Sequence, residues 1–156
     1  AFSRCTRIQS FTFQEGTTKI KDGTFDGCSK LRRVTIPTTI RSIGCYAFDG
    51  CSSLESIIIP QDMWSIEYRA FNSCKGISAV VLPSGVSTID VDAFSGCEKL
   101  KSMTFEGTVT FSKSYRSDNS ISGCDNLTKV FVSQGAKIDT TVFDSLPNCR
   151  VIRYPT

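Results

Sequence analysis

The sequence predicts a repeat solenoid, a coil of short stacked units that share one continuous core. Three observations predict it: a period of 23 residues, the return of the same apolar residues in each period, and turn-forming pairs between them. The cysteines on this period are Cys5, Cys28, Cys51, Cys74 and Cys97. The phenylalanines three residues earlier are Phe2, Phe25, Phe48, Phe71 and Phe94. Self-similarity at a fixed period of this size is typical of solenoid proteins.

Each unit is predicted to contain a strand, a corner, an extended return and a tight turn. In the third unit Ile57 and Ile59 alternate with Ile58, which is the period of a strand, and Pro60 then ends it. The spacing of three between Phe48 and Cys51 favours a 3₁₀-like turn, because side chains at i and i+3 then point the same way. The predicted strands lie near 8–13, 31–36, 54–59, 77–82, 100–105, 127–132 and 149–154.

These seven strands predict about seven rungs in a right-handed coil, with a parallel sheet on the concave face and irregular turns on the convex face. Two units are irregular: the sixth arrives 27 residues after the fifth, and the seventh comes one residue early. The register nevertheless continues, so residues 1–156 are interpreted as a single domain. Because Ala1-Phe2 begins within a unit, we expect the chain to be a segment of a larger protein.

The repeat pattern resembles a known family. The motif I-P-x-x-I-x-x-I-G-x-x-A-F-x-x-C-x-x-L-x-x-I-x-I-P is almost complete from Ile36-Pro37 to Ile59-Pro60. It is similar to the leucine-rich repeats of the BspA type, also called the Treponema pallidum type. The resemblance implies a leucine-rich-repeat fold and a surface or secreted protein that adheres to host matrix proteins or cells. It says little about a particular partner, because such a fold is a scaffold.

Composition excludes several kinds of chemistry. The chain contains no histidine, which excludes Ser-His-Asp and Cys-His nucleophiles. The cysteine spacing lacks the paired ligands of a zinc site, and the carboxylates are scattered. We therefore expect no catalytic site, metal or cofactor. Eighteen basic against fifteen acidic residues, without a basic stripe, argue against nucleic acid, and no apolar run is long enough to insert in a membrane.

The repeated cysteines are interpreted as small core residues, since free cysteine prefers burial. Stacked thiols that point the same way seldom reach disulfide geometry. Cys45 lies outside the repeated position, and we expect it to be the most accessible thiol.

Candidate partner-binding residues point outward between the core positions. On the strands they are Arg33, Ile58, Val81, Lys129 and Phe131. Exposed apolar neighbours favour binding, although β-branched residues also suit strands whatever the function. In the polar insertion of the sixth unit they are Tyr115 and Arg116. That segment is either a recognition loop or simply a tolerated insertion.

The sequence therefore predicts a non-catalytic binding module for a protein or glycan partner, with a host matrix or cell-surface protein implied by the resemblance. Cell-surface or secreted localisation is favoured by that resemblance and by the glycosylation pattern Asn126-Leu127-Thr128. The alternative is an intracellular scaffold or regulator of a cytosolic protein, which the many cysteines favour. A structural spacer between other domains is the third hypothesis.

Overall fold

The computed structural model describes residues 1–90, 92–112 and 121–156, and all its strand pairings are parallel. The strands of the first kind, which form in six of the seven predicted units, are β1 (Ser10–Thr12), β3 (Arg33–Thr35), β6 (Ala79–Leu82), β8 (Ser102–Phe105), β10 (Lys129–Ser133) and β11 (Arg150–Tyr154). The return strands are β2 (Lys19–Ile20), β4 (Ser42–Ile43), β5 (Ser65–Ile66), β7 (Thr88–Asp90) and β9 (Thr110–Ser112). A 3₁₀ helix spans Thr140–Phe143. This architecture confirms the predicted solenoid.

Strand pairing follows the sequence repeat. Ser10 pairs with Arg33 and Val80 with Met103, each one 23-residue period away. Met103 pairs with Val130, which shows that the register survives the insertion in the sixth unit. Because partners in a parallel pair point to the same face, the core positions of successive units stack directly on each other.

The strand predicted at 54–59 is not formed. Ile57 and Ile59 are buried and Ile58 is 84% exposed, so the predicted alternation is correct. Glu55 N–H donates to Arg32 O, but residues 56–59 pair with no strand in the described chain. The sheet is consequently divided into β1-β3 and β11-β10-β8-β6. The hydrophobic pattern predicts which side chains are buried, but it does not determine whether the backbones come within bonding distance.

The last unit differs from the prediction by one residue. Val151 pairs with the inward Val130, and Ile152 pairs with the outward Phe131, whereas the spacing predicts that Ile152 points inward. Both residues are apolar and β-branched, so the sequence fits either register. In the observed one, Arg153 donates to Ala136 O at 2.7 Å, which ties this strand to the corner of the preceding unit.

The return segments form a second sheet in the order β2-β4-β5-β7-β9, where the sequence predicts only extended chain. Between the sheets lies a continuous core. Within it the rings of Phe48, Phe71 and Phe94 stack with centroids 5.1 and 5.2 Å apart. Cys51 N–H and Cys74 N–H each donate to the carbonyl three residues before, which gives the predicted tight turn.

The repeated cysteines are buried from Cys28 to Cys124, as predicted, but Cys5 is exposed because no unit of the described chain covers the first one; all eight cysteines are free thiols. Their role is more specific than apolar packing. The Cys74 thiol donates to Phe48 O at 3.1 Å, and the Cys97 thiol donates to Phe71 O at 3.2 Å. Each cysteine thus bonds the preceding unit as well as filling space.

Candidate binding surfaces

The strand face is the outward side of the first set of strands together with residues 54–59. Its central row runs through Thr35, Ile58, Val81, Thr104 and Phe131. Val81 pairs with Thr104 and Thr104 with Phe131, so the two apolar side chains flank one threonine. Ile58 is 84% exposed and Val81 is 48% exposed. Ile58 occupies the place one period before Val81, beside the break in the sheet.

The two predicted basic residues lie in the neighbouring row of the same face. Arg33 and Lys129 are both exposed, in β3 and β10 respectively. Four strand positions separate them, which corresponds to roughly 19 Å at the usual interstrand spacing. They therefore mark the two sides of the apolar centre and do not form one cationic cluster.

The predicted recognition residues Tyr115 and Arg116 lie outside the described residues.

Beside the strand face, Arg32 and Glu55 form an exposed ion pair between consecutive units. The guanidinium Nε donates to Glu55 Oε1 at 3.0 Å, and this bond lowers the pKa of the Glu55 carboxyl. This ion pair neutralises two charges next to Arg33, which is exposed and also lowers the pKa of the Glu55 carboxyl by its charge.

The most accessible thiol is not Cys45. Cys5, in the first unit, is exposed, whereas Cys45 is half-buried. The Cys45 thiol lies 3.6 Å from Glu67 Oε2, and its backbone N–H donates to Asp22 Oδ1 at 2.9 Å. Asp22 and Cys45 are one period apart in the sequence, and the stacking of units brings them into contact.

Asp22, Cys45 and Glu67 offer three ligand atoms within 4.8 Å of one another. Lys19 Nζ lies 3.4 Å from Glu67 Oε1 and already supplies a positive charge to this group. Structural zinc sites require four convergent ligands, and this cluster provides three.

A second surface lies on the turn side of the coil, where sequence reasoning proposes nothing. The rings of Tyr46 and Tyr68 meet edge to face with centroids 5.3 Å apart. The Arg69 guanidinium carbon lies 6.0 Å from the Tyr46 centroid and 5.9 Å from that of Tyr68. A cavity of about 430 Å³ opens beside Tyr68 and Arg69. The signal in the sequence is that Tyr46 and Arg69 replace Gly23 at one position of the repeat.

In the described part of the chain, the structure contains no helix long and apolar enough to cross a membrane.

The stacked parallel strands, the 23-residue register and the Phe and Cys columns define a leucine-rich-repeat solenoid. The family model of the BspA type leucine-rich repeat region matches in six copies, over residues 1–121 and 65–156. The chain therefore belongs to the BspA-type leucine-rich repeat family. Proteins of this family are generally non-enzymatic scaffolds that mediate protein interactions, and they are often found at the cell surface or secreted.

Solved structures share the fold. A leucine-rich repeat protein of Treponema pallidum (TpLRR) superimposes with a TM-score of 0.72 and 27% identity, over 93% of this chain and 72% of that protein. One from Bacteroides ovatus gives 0.67 and 28% identity, over 85% of this chain and 35% of the other. The pneumococcal vaccine antigen PcpA gives 0.68 at 19% identity, over 94% and 41%. A search of curated proteins finds no match.

Proposed function

We propose that this chain is the binding module of a cell-surface or secreted adhesin, and that its strand face docks a host matrix or cell-surface protein. The observation that carries the proposal is the exposure of Ile58 and Val81 on consecutive units. Two adjacent aliphatic side chains on an outward sheet face are a stronger sign of an interaction surface than one isolated apolar residue. Phe131 extends the same row and adds an aromatic anchor.

Charge on this face limits the chemistry of the partner. Arg33 and Lys129 are both exposed and lie on either side of the apolar centre. We expect the partner to present an apolar surface flanked by carboxylates, because that pairing buries Ile58 and Val81 and places opposite charges at the rim. The exposed Asn126 is compatible with a secretory route, in which it would be a glycosylation acceptor.

An intracellular scaffold is the second candidate function, and a specific observation favours it. All eight cysteines are free thiols, and five of them are buried in the core. Free thiols in this number are more usual in reducing compartments. The strand face would then dock a cytosolic protein of the same apolar and acidic character.

The proposal is tested with purified matrix proteins, such as collagen, laminin and fibronectin, immobilised for surface plasmon resonance. We expect the chain to bind at least one of them, and the triple substitution Ile58→Asp, Val81→Asp and Phe131→Asp to weaken that binding at least about 100-fold. The matched control is Trp64→Asp, because Trp64 is also a large apolar residue, 58% exposed, but lies outside the strand face.

Loss of binding in the triple variant with retention in the Trp64 variant supports the strand face as the site. Absence of binding to every matrix protein contradicts the adhesin proposal. Equal binding by the triple variant and the parent contradicts the strand-face assignment. Circular dichroism on each variant establishes that the compared proteins are equally folded.

A further inference from the structure

The turn-side cavity is a built feature of three consecutive units. It is lined by Tyr68, Arg69, Asn72, Asp92, Ser95 and Ser122. These residues come from the turns of the fourth, fifth and sixth units, which the solenoid stacks side by side. Its volume of about 430 Å³ falls in the range of small-molecule sites. It lies on the turns, away from the strand face proposed to bind protein.

The floor of this cavity is polar although it is almost entirely buried. Asn72, Asp92 and Ser95 are each less than one tenth exposed. The Asn72 amide nitrogen donates to Asp49 Oδ1 at 2.9 Å, which holds the amide in one orientation and leaves its oxygen as the acceptor for a ligand. The hydroxyl of Ser95 lies 3.4 Å from Asp92 Oδ1. A carboxylate accepts several hydrogen bonds at once, so Asp92 can also receive one from a ligand.

The rim of the cavity combines a cation with aromatic rings. Tyr68 supplies an apolar wall, and Arg69 lies against the rings of Tyr68 and Tyr46. This contact limits the movement of the guanidinium while its N–H groups remain donors. The apolar ring of Tyr68 and the hydrogen-bonding guanidinium of Arg69 therefore lie side by side at the rim.

The backbone conformation at Tyr46 and Arg69 is unusual for bulky residues. Tyr46 and Arg69 have left-handed conformations, with φ of 58° and 53°. The residue one period earlier is Gly23, with φ of 65°, which shows that the fold requires this conformation at that place in the repeat. Glycine adopts it without strain, whereas bulky residues rarely do. Tyr46 and Arg69 therefore keep bulky side chains at a place where glycine would be less strained.

The mixture of groups selects the ligand class. A phosphate or sulfate would meet the carboxylate of Asp92, and a metal ion would meet the guanidinium of Arg69. A purely apolar ligand would make no use of the Arg69 donors or of the Asn72 and Asp92 acceptors. A neutral ring with hydroxyls on its edge and C–H groups on its face satisfies all of these groups. We propose that the cavity binds one pyranose unit of a neutral glycan, with Tyr68 against the ring and Arg69, Asn72 and Asp92 bonding its hydroxyls.

The test is a titration of the ¹⁵N-labelled chain with methyl α-D-glucopyranoside, methyl α-D-mannopyranoside and methyl β-D-galactopyranoside, followed by ¹H–¹⁵N correlation spectra. We expect at least one glycoside to bind with an affinity in the millimolar range, and to shift the amide signals of Arg69, Asn72, Ser95 and Gly96. Such an affinity is reasonable for a single sugar held by few contacts.

Arg69→Gly is the decisive variant, because it removes the guanidinium and places at this position the residue that the second unit carries, Gly23. It should weaken sugar binding at least tenfold without loss of folding. Arg4→Gly is the matched control, since Arg4 also has a left-handed conformation, with φ of 58°, but lies in the first unit. It should bind as the parent does.

Asp92→Asn is the second variant and should also weaken binding, because the amide can donate into a site that needs an acceptor. The proposal is overturned if no glycoside shifts the cavity amides, if the shifts fall on the strand face instead, or if Arg69→Gly and Arg4→Gly titrate alike. These outcomes are independent of the matrix-protein experiment, which reports on the other surface.

Discussion

Replacement of Phe71 by alanine should be one of the most damaging single changes in this chain. Phe71 is fully buried, and its ring is nearly parallel to those of Phe48 and Phe94, at interplanar angles of 1° and 7°. Truncation of a buried phenylalanine costs about 3–5 kcal/mol, because the transfer free energy is lost and a cavity remains. We expect Phe71→Ala to lower the free energy of unfolding by an amount within that range.

The end of the phenylalanine column provides the control. Phe2 is 38% exposed and stacks on one ring of the column, Phe25, at 5.6 Å. With about two thirds of its side chain buried, and solvent able to fill the space, Phe2→Ala should cost about 1–2 kcal/mol. The residue type and the substitution are the same in both variants. The difference between their losses of unfolding free energy therefore reflects only whether the ring is packed inside the coil or at its end.

The measurement is urea denaturation followed by circular dichroism, with the free energy of unfolding extrapolated to water. Phe71→Leu keeps most of the volume and should cost about 1–3 kcal/mol, chiefly from two lost ring contacts. This variant remains measurable if the alanine variant does not fold. Equal losses for Phe71→Ala and Phe2→Ala would refute the stacked-unit reasoning.

Three further predictions concern glycine and cysteine. Gly85→Ala places a methyl group against the backbone oxygen of Gln61 and should destabilise by about 1–3 kcal/mol, whereas Gly135→Ala meets open space and should stay within about 0.5 kcal/mol by the same denaturation assay. Burial raises the pKa of the Cys74 thiol in the folded chain. Below about pH 8.5, the pKa of an unfolded thiol, Cys74 is neutral in both states and its full contribution to stability is present. Above that pH only the unfolded state ionises, so the contribution is progressively lost. The free energy of unfolding, measured by denaturation in reductant, should therefore fall as pH rises above about 8.5. Cys74→Ala should make this fall shallower by about 1.4 kcal/mol per pH unit. An unchanged dependence on pH would contradict the burial of Cys74. A disulfide reagent followed by mass spectrometry should label Cys5 first in the folded chain and Cys74 only on unfolding, and the reverse order would contradict the assigned exposure.

Periodic residues made the fold predictable. A position that is buried in every unit carries the same type of residue in every period. The columns that contain Phe71 and Cys74 could therefore be predicted from the sequence. The outward position of Ile58 follows from the same alternation. The sequence could also indicate the tight turns, because spacing of three is a local property of the chain.

Features that depend on how one unit lies against the next were harder to predict from the sequence. The break in the sheet at 54–59 concerns backbone distance, which side-chain pattern does not encode. The register of β11 was ambiguous because Val151 and Ile152 are equally suited to either face. The turn-side cavity arises from residues that differ between units, such as Arg69 and Asp92, and only their stacking places them together.

The central claim is that the repeated residues build the coil and the outward residues between them bind the partner. Ile58→Asp tests it most directly, by measuring its free energy of unfolding together with its affinity for the matrix protein that the parent binds. The account predicts stability within about 0.5 kcal/mol of the parent, because Ile58 is 84% exposed, and an affinity at least about tenfold weaker. An affinity equal to that of the parent, or a loss of stability as large as that of Phe71→Ala, would contradict it.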